Sequence, residues 1–258
     1  MTETGRKGMK RAFKYAAFFA AYVSAFLLIW IFAVSAVKNE YILPPIKKVF
    51  QSVLDLLGQK GFYTAFFATL KRAVNAFLIS FFAAFIFAVA AYLLPLFYRI
   101  FAPVVSGLRS LPTMAIMLVL LVWSTPKKAP VIVAFLALFP MLYTGIFAAL
   151  STVDKKLLDV CKTYKVPVYK RIFSMYVPIA LPYTLREAAA GLSFSLKLIV
   201  SAEVLANTYL SLGGMLQESK IWLRVSETFA LTLIVIVVGL LLEGLGLLLA
   251  RYAERRTK

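Results

Sequence analysis

Few residues in this chain could do chemistry. Histidine is absent and cysteine occurs once, as Cys161. That excludes imidazole acid–base catalysis, Ser-His-Asp triads, an internal disulfide and an ordinary zinc site. No GxxxxGK[ST] segment is present, so the chain does not itself cradle the phosphates of ATP. Two constellations remain. The first is Val153–Met175, a polar, basic and amphipathic stretch of about 23 residues between two long apolar runs. Its positions Leu157, Leu158, Cys161, Tyr164 and Val168 recur at three and four, as on one face of a helix. Such a segment suits docking of a soluble partner. The second is a set of polar residues inside an apolar run: Ser193, Lys197 and Ser201, four apart, followed by Glu203.

The elements that carry these residues are membrane spans. Hydrophobic residues make up 62% of the chain and the mean hydropathy is +0.86, against roughly 45–50% apolar in soluble domains. Tyr15–Val37, Ala73–Phe97 and Ala129–Val153 lack Asp, Glu, Lys and Arg altogether. Each is long enough for a hydrocarbon core of about 30 Å. The first is too long for a signal-peptide core and is read as a retained span. Three less clean spans complete a set of six, near Ile100–Ser124, Tyr176–Ala206 and Glu227–Ala250. The fold expected is all-α: a polytopic membrane protein with six transmembrane helices and one permease domain over residues 1–258.

Six spans place both termini on one side, and lysine and arginine choose it. With the N-terminus inside, the inner segments hold sixteen basic residues and the outer ones ten, Lys71 and Arg72 among them in the segment before the second span. The bias puts residues 1–14 and the C-terminus in the cytoplasm of a multi-pass bacterial plasma (inner) membrane protein. The same rule accounts for the formal net charge of +18. No basic–aromatic platform for nucleic acid is present. Trp123, Trp222 and the tyrosines are read as interface anchors. Between the first two spans, residues 42–60 hold Pro44-Pro45 and then Ile46, Val49, Phe50, Val53, Leu54 and Leu57 at helical spacing. This predicts an amphipathic helix on the outer membrane surface, ended near Gly58 and Gly61.

In Val153–Met175, Asp154 is placed to cap a helix. Val166-Pro167 should end that helix and begin a second, because proline drives its predecessor out of the α region. The pair would lie across the inner membrane surface, held against the spans by its apolar face. Measured back from Pro178, the segment reads Asp159-Val160-Cys161, then Lys165, Met175 and Val177-Pro178. This resembles the Glu-Ala-Ala, three residues, Gly, nine residues, Ile-x-Leu-Pro loop of ABC importer permeases, with Lys165 in the glycine position. Pro178-Ile179-Ala180-Leu181-Pro182-Tyr183, Leu108-Arg109-Ser110-Leu111-Pro112 and Lys197 with Ser201-Ala202-Glu203-Val204 are similar to motifs of the nitrate/sulfonate/taurine-type permeases. Leu212-Gly213, Lys220 and Glu227-Thr228 follow in that family's order, and the resemblance covers about residues 42–250. The literal string Glu187-Ala188-Ala189 lacks the later glycine and proline and falls inside the fifth span, so it is read as a decoy.

The resemblance implies a type I importer permease with a cytoplasmic coupling loop at residues 153–175. Leu157, Leu158, Asp159, Cys161, Tyr164, Lys165 and Pro167 would engage the ATPase, with the turn made by Pro167. It further implies two ATP-binding-cassette ATPase subunits, an extracytoplasmic solute-binding protein, a homodimer of the permease and surrounding membrane lipid. No cofactor and no catalysis by this chain follow from it. An ionised side chain at mid-bilayer costs at least about 2.5–3.5 kcal/mol, so Lys197 and Glu203 need a reason to be there. Either they line a translocation path with Ser193 and Ser201, or they pair with another span. Arg186 and Glu187 would satisfy one another or the headgroups. Arg109 would snorkel to the interface, with Pro112 bending its span. Glu243 would make a helix contact beside Gly239, Gly244 and Gly246. The function expected is import of a small organic solute, with Lys197 pointing to an anion. An ion-coupled secondary transporter is the alternative, and it would need carboxylate relays or two related halves. The energy-coupling subunit of vitamin transporters would need Ala-Arg-Gly-type motifs, which the sequence lacks.

Overall fold

A computed structural model of the chain describes residues 18, 21–22, 24–25, 27–153, 155–167, 170 and 172–257. All regular structure among them is helical. A bilayer offers no water to unpaired backbone groups, so uncharged runs of this length close their hydrogen bonds within helices. In chain order these are α1 (Leu27–Val37), α2 (Ile46–Leu57), α3 (Lys60–Leu93), α4 (Pro95–Ser110), α5 (Thr113–Trp123) and α6 (Ala129–Ser151). Then come α7 (Lys155–Thr163), a π-helical turn at Ile172–Tyr176, α8 (Val177–Ala206), α9 (Leu212–Ile221) and α10 (Val225–Thr257).

Four helices are individually long and apolar enough to cross a membrane: α3, α6, α8 with its leading turn, and α10. They correspond to the second, fourth, fifth and sixth expected spans. The third expected span is not one helix. It is α4 and α5, bent by 91° where Leu111 and Pro112 are extended. Proline removes a backbone donor and forbids α geometry at the residue before it. The same rule corrects the end of the second span, read as running to Phe97. Helix α3 stops at Leu93, Leu94 is extended, and Pro95 opens α4. Of the first expected span only the final part, α1, is a continuous stretch of described residues; most of Tyr15–Phe26 lies outside them.

The chain forms two compact units, Met1–Gly58 with Ser219–Ala230, and Gln59–Glu218 with Leu231–Lys258. In the first, the Trp30 indole N–H donates to the Pro44 carbonyl at 3.1 Å. The Trp30 ring meets Phe229 edge-on at 5.2 Å, and Lys48 pairs with Glu40. Helix α2 follows extended Pro45 and ends at Gly58, whose N–H donates to Leu54 and Asp55. Its apolar residues divide: Val49 and Leu56 are buried, while Phe50, Leu54 and Leu57 stay exposed.

The second unit is built on α3, α6 and α8, which pack on one another. The buried positions of α3 include Ala65, Thr69, Ala73, Ala76, Ser80, Ala84, Ala88 and Ala91, a small-residue stripe at spacings of three and four. Small residues let helix backbones approach closely, which matters where lipid is as apolar as leucine. The Ser195 hydroxyl crosses this contact to the Ala73 carbonyl at 2.7 Å. A Cβ at Gly191 would sit 2.7 Å from Leu142. Ala76→Leu should therefore lower the thermal stability of the detergent-solubilised chain, by about 1–3 kcal/mol for overpacking. Phe82→Leu, at an exposed position of the same helix, should leave the melting temperature unchanged when the two variants are melted side by side in the same detergent.

Candidate functional site

Of the docking residues expected from the sequence, Leu157, Leu158, Asp159 and Cys161 lie on helix α7, and Tyr164, Lys165 and Pro167 lie in the turn that follows it. Leu157 is 47% exposed and Tyr164 76%, Val160 and Asp159 are exposed, and Cys161 is half-buried. The apolar face is thus not laid wholly against the spans as expected, since Leu157 and Tyr164 present apolar surface outward. Asp154, Val168 and the side chain of Leu158 lie outside the described residues. The turn also differs from expectation. Lys165 is left-handed, with φ 48°, so the residue in the glycine position makes the turn that had been given to Pro167. The Val166 N–H donates to the Cys161 carbonyl at 2.9 Å and the Tyr164 N–H to Val160 at 3.0 Å. The first is the 6→1 bond of a Schellman C-cap, and Pro167 stands where prolines commonly follow such caps. Beyond it, the π-helical turn at Ile172–Tyr176 runs directly into α8.

In α8 the polar residues separate by environment. Glu203 is 0% exposed. One carboxylate oxygen accepts from the Arg72 guanidinium at 2.6 Å, and the other from the Thr69 hydroxyl at 2.8 Å and the Gly213 amide at 3.2 Å. Thr69 in turn accepts from the Leu212 amide at 2.9 Å. Helix α8 ends in a left-handed cap: Asn207 has positive φ and the Thr208 N–H returns to the Glu203 carbonyl at 3.0 Å. Ser211 caps the start of α9 by accepting from the Gly214 amide at 2.8 Å. Gly213 is required here, because a Cβ would fall 2.3 Å from the Glu203 Cβ. Glu203 therefore ties α3, α8 and α9 together at one end of the unit. A path-lining role does not fit a carboxylate with both oxygens engaged and no exposure. Thr69 and Arg72 were missed as its partners: Arg72 read as a loop charge, and only Leu212-Gly213 marked the second contact.

Lys197 and Ser201 are exposed on the same helix. Ser193 is not beside them in the open: it is 1% exposed, and its hydroxyl has no hydrogen-bond partner among the described residues. Gly239 of α10 lies close to both Ser193 and Lys197, at 3.5 and 3.9 Å from a Cβ built on it. Arg186 does not pair with Glu187. It bonds Glu254 of α10 at 2.7 Å, and the Glu187 carboxylate packs on Gly145 of α6. Of the three glycines expected to admit close approach, Gly246 meets Ala189 and Gly239 meets Ser193, while Gly244 faces open space.

Residues 80–258 match the family described as binding-protein-dependent transport system inner membrane component. A Bacillus subtilis (strain 168) protein named as an aliphatic sulfonates transport permease protein, SsuC, is 26% identical over 151 residues. The match covers 58% of this chain and about half, 54%, of that relative. A solved crystal structure of an amino acid ABC transporter with histidines superposes with a TM-score of 0.60 at 16% identity, over 76% of this chain and 94% of its own. At that identity the likeness shows the fold.

Two substitutions test the geometry. Arg72→Ala should destabilise the unit by about 3–5 kcal/mol, because it strands a buried carboxylate; Arg72→Met with Glu203→Gln should recover most of the lost melting temperature. Lys165→Gly should strengthen the α7 cap by roughly 0.5–1 kcal/mol, because glycine adopts positive φ without steric cost. Slower hydrogen exchange at the Val166 amide would report it.

Proposed function

The chain belongs to the binding-protein-dependent transport system inner membrane components, and on that footing we propose that it is the membrane-spanning subunit of an ATP-binding-cassette importer. It works as a homodimer with two copies of a separate ATPase subunit and an extracytoplasmic solute-binding protein. The observation that carries this reading is α7 and the turn after it, with outward-facing Leu157 and Val160 on the helix and Tyr164 in the turn, a few residues ahead of the entry to α8. An exposed apolar face on a nine-residue helix has little reason to exist without a partner to cover it. Asp159 on the same helix supplies a charged contact for that partner. The termini and α7 face the cytoplasm of the bacterial inner membrane, as the distribution of Lys and Arg supports.

Coupling then follows from geometry. ATP binding draws the two ATPase subunits together and displaces α7. The Lys165 cap and the π-helical turn pass that displacement to α8, whose far end is anchored by Glu203. The ATPase binds inward- and outward-facing states with different affinity and so shifts their populations. Lys197 and Ser201 are assigned to the translocation path, with Glu203 fixing the helix that presents them and Ser193 buried behind them against α10. The solute is small and organic, and the sulfonate relative supports an anion.

Affinity purification of the tagged chain from its native membrane tests the reading; a P-loop ATPase and a soluble binding protein are expected. Finding neither would favour an ion-coupled secondary transporter. Leu157→Asp combined with Tyr164→Asp should reduce ATPase recovery at least about tenfold, the effect of removing a central apolar anchor pair, while the permease still elutes as a folded species. Lys197→Ala should lower solute uptake and the ATP hydrolysis coupled to it. Unchanged values of both would remove Lys197 from the path.

A further inference from the structure

A second polar feature of the membrane-spanning region lies away from α7 and Glu203. Between α4 and α6 is a cavity of about 270 Å3 lined by Tyr98, Ser106, Arg109, Tyr143, Thr144 and Phe147, among others, none of them acidic. Tyr143 is 3% exposed, and its hydroxyl has no hydrogen-bond partner among the described residues. A buried phenol without a partner is costly and calls for an explanation. Arg109 at the same cavity has no ion-pair partner among the described residues. It belongs to the segment read from sequence as snorkelling; it is exposed and also lines this half-open cavity.

The donors and acceptors around this space are unbalanced. Arg109 offers guanidinium N–H groups and no acceptor, and Tyr143, Tyr98 and Ser106 each have a hydroxyl proton to give. Thr144 already donates to the Pro140 and Met141 carbonyls. With no carboxylate in the lining, the complement to this set is an oxyanion, which the planar guanidinium grips with two parallel hydrogen bonds. The rest of the wall is aromatic. Tyr98 and Phe147 stack at 4.9 Å with planes 11° apart, and Tyr143 stacks on Phe147 at 6.2 Å. That surface suits a short apolar body. A volume of about 270 Å3 is at the small end for ligand sites and excludes a bulky solute.

We infer that the α4–α6 cavity is a binding site for a small organic oxyanion, its head held by Arg109 and the Tyr143 hydroxyl and its apolar part against Tyr98 and Phe147. The inference deepens the importer reading by assigning a solute class to a site on this chain, and it rests on that reading only for the step of transport. The anionic group could arrive as a free solute or as the headgroup of an anionic phospholipid.

The test uses the full chain in phosphatidylcholine nanodiscs, titrated with methanesulfonate and followed by saturation-transfer NMR, with choline as the cationic control. Saturable methanesulfonate binding is expected, and none for choline. Tyr143→Phe and Arg109→Gln should each weaken it about tenfold or more, the usual scale for a hydrogen bond to a charged group. Tyr143→Phe should raise the melting temperature or leave it unchanged, because it removes a buried hydroxyl with no partner among the described residues. If phosphatidylglycerol in the disc displaces the probe from the native chain but has no effect on Arg109→Gln, the oxyanion taken up in the membrane is a headgroup. If it leaves probe binding unmoved, the site serves a free solute. Equal affinity in both variants, equal binding of choline, or no saturable binding at all would overturn the site. Loss of ATPase recovery in the purification above would sink the importer reading and leave this titration standing, since the titration needs no ATPase.

Discussion

Helices surrounded by lipid gain little from hiding apolar surface, so they hold together only where their backbones come close enough for dense packing and for polar groups to reach across. In this chain that closeness is set by the alanine, serine and threonine stripe of α3. It lets α6 and α8 lie against α3 and brings Ser195 within bonding distance of a backbone carbonyl of α3. It also brings Thr69 and Arg72 to Glu203. A larger side chain in the stripe would separate the helices and leave the Glu203 carboxylate without the donors that make its burial tolerable. The polar cluster and the small-residue stripe are thus one arrangement, and the position of α9 follows from it through the Gly213 amide.

Charged residues in the spans sort into two groups once their surroundings are known. Glu203 and Arg186 have partners on other helices, Arg72 and Glu254; the first pair is buried and ties α3 to α8, while the second is exposed and contributes little. Lys197 and Arg109 have no ion-pair partner among the described residues and lie on an exposed helix surface and at a cavity. Intramembrane charge is expensive enough that the second group is where function is to be sought. The proposed coupling fits the same division: α8 is fixed by Glu203 near its C-terminal end and preceded at its N-terminal end by the π-helical turn on the side of α7.

Much of this was legible beforehand because a bilayer makes sequence speak plainly. Uncharged runs located the spans, the Ile46–Leu57 periodicity located α2, and Gly58 marked its end. The order of short motifs pointed to the family. What misled were features whose meaning depends on a neighbour far along the chain. Arg72 looked like a loop charge because its partner stands 131 residues away. Arg186 and Glu187, adjacent in sequence, point to different helices. A bend of the third span at Pro112 was legible in the sequence, but hydropathy does not register that it becomes a 91° break between two separate helices.

The sequence by itself determined that the chain is a helical membrane protein, where most of its spans run and which segment could meet a partner, because these depend on local composition and on backbone hydrogen bonding in lipid. Only the tertiary structure decided which charges are paired and that Lys165 carries the left-handed turn. It alone put the Tyr143 hydroxyl and the Arg109 guanidinium at one cavity. Each of those depends on which helix faces surround a residue, and one-dimensional spacing does not fix that.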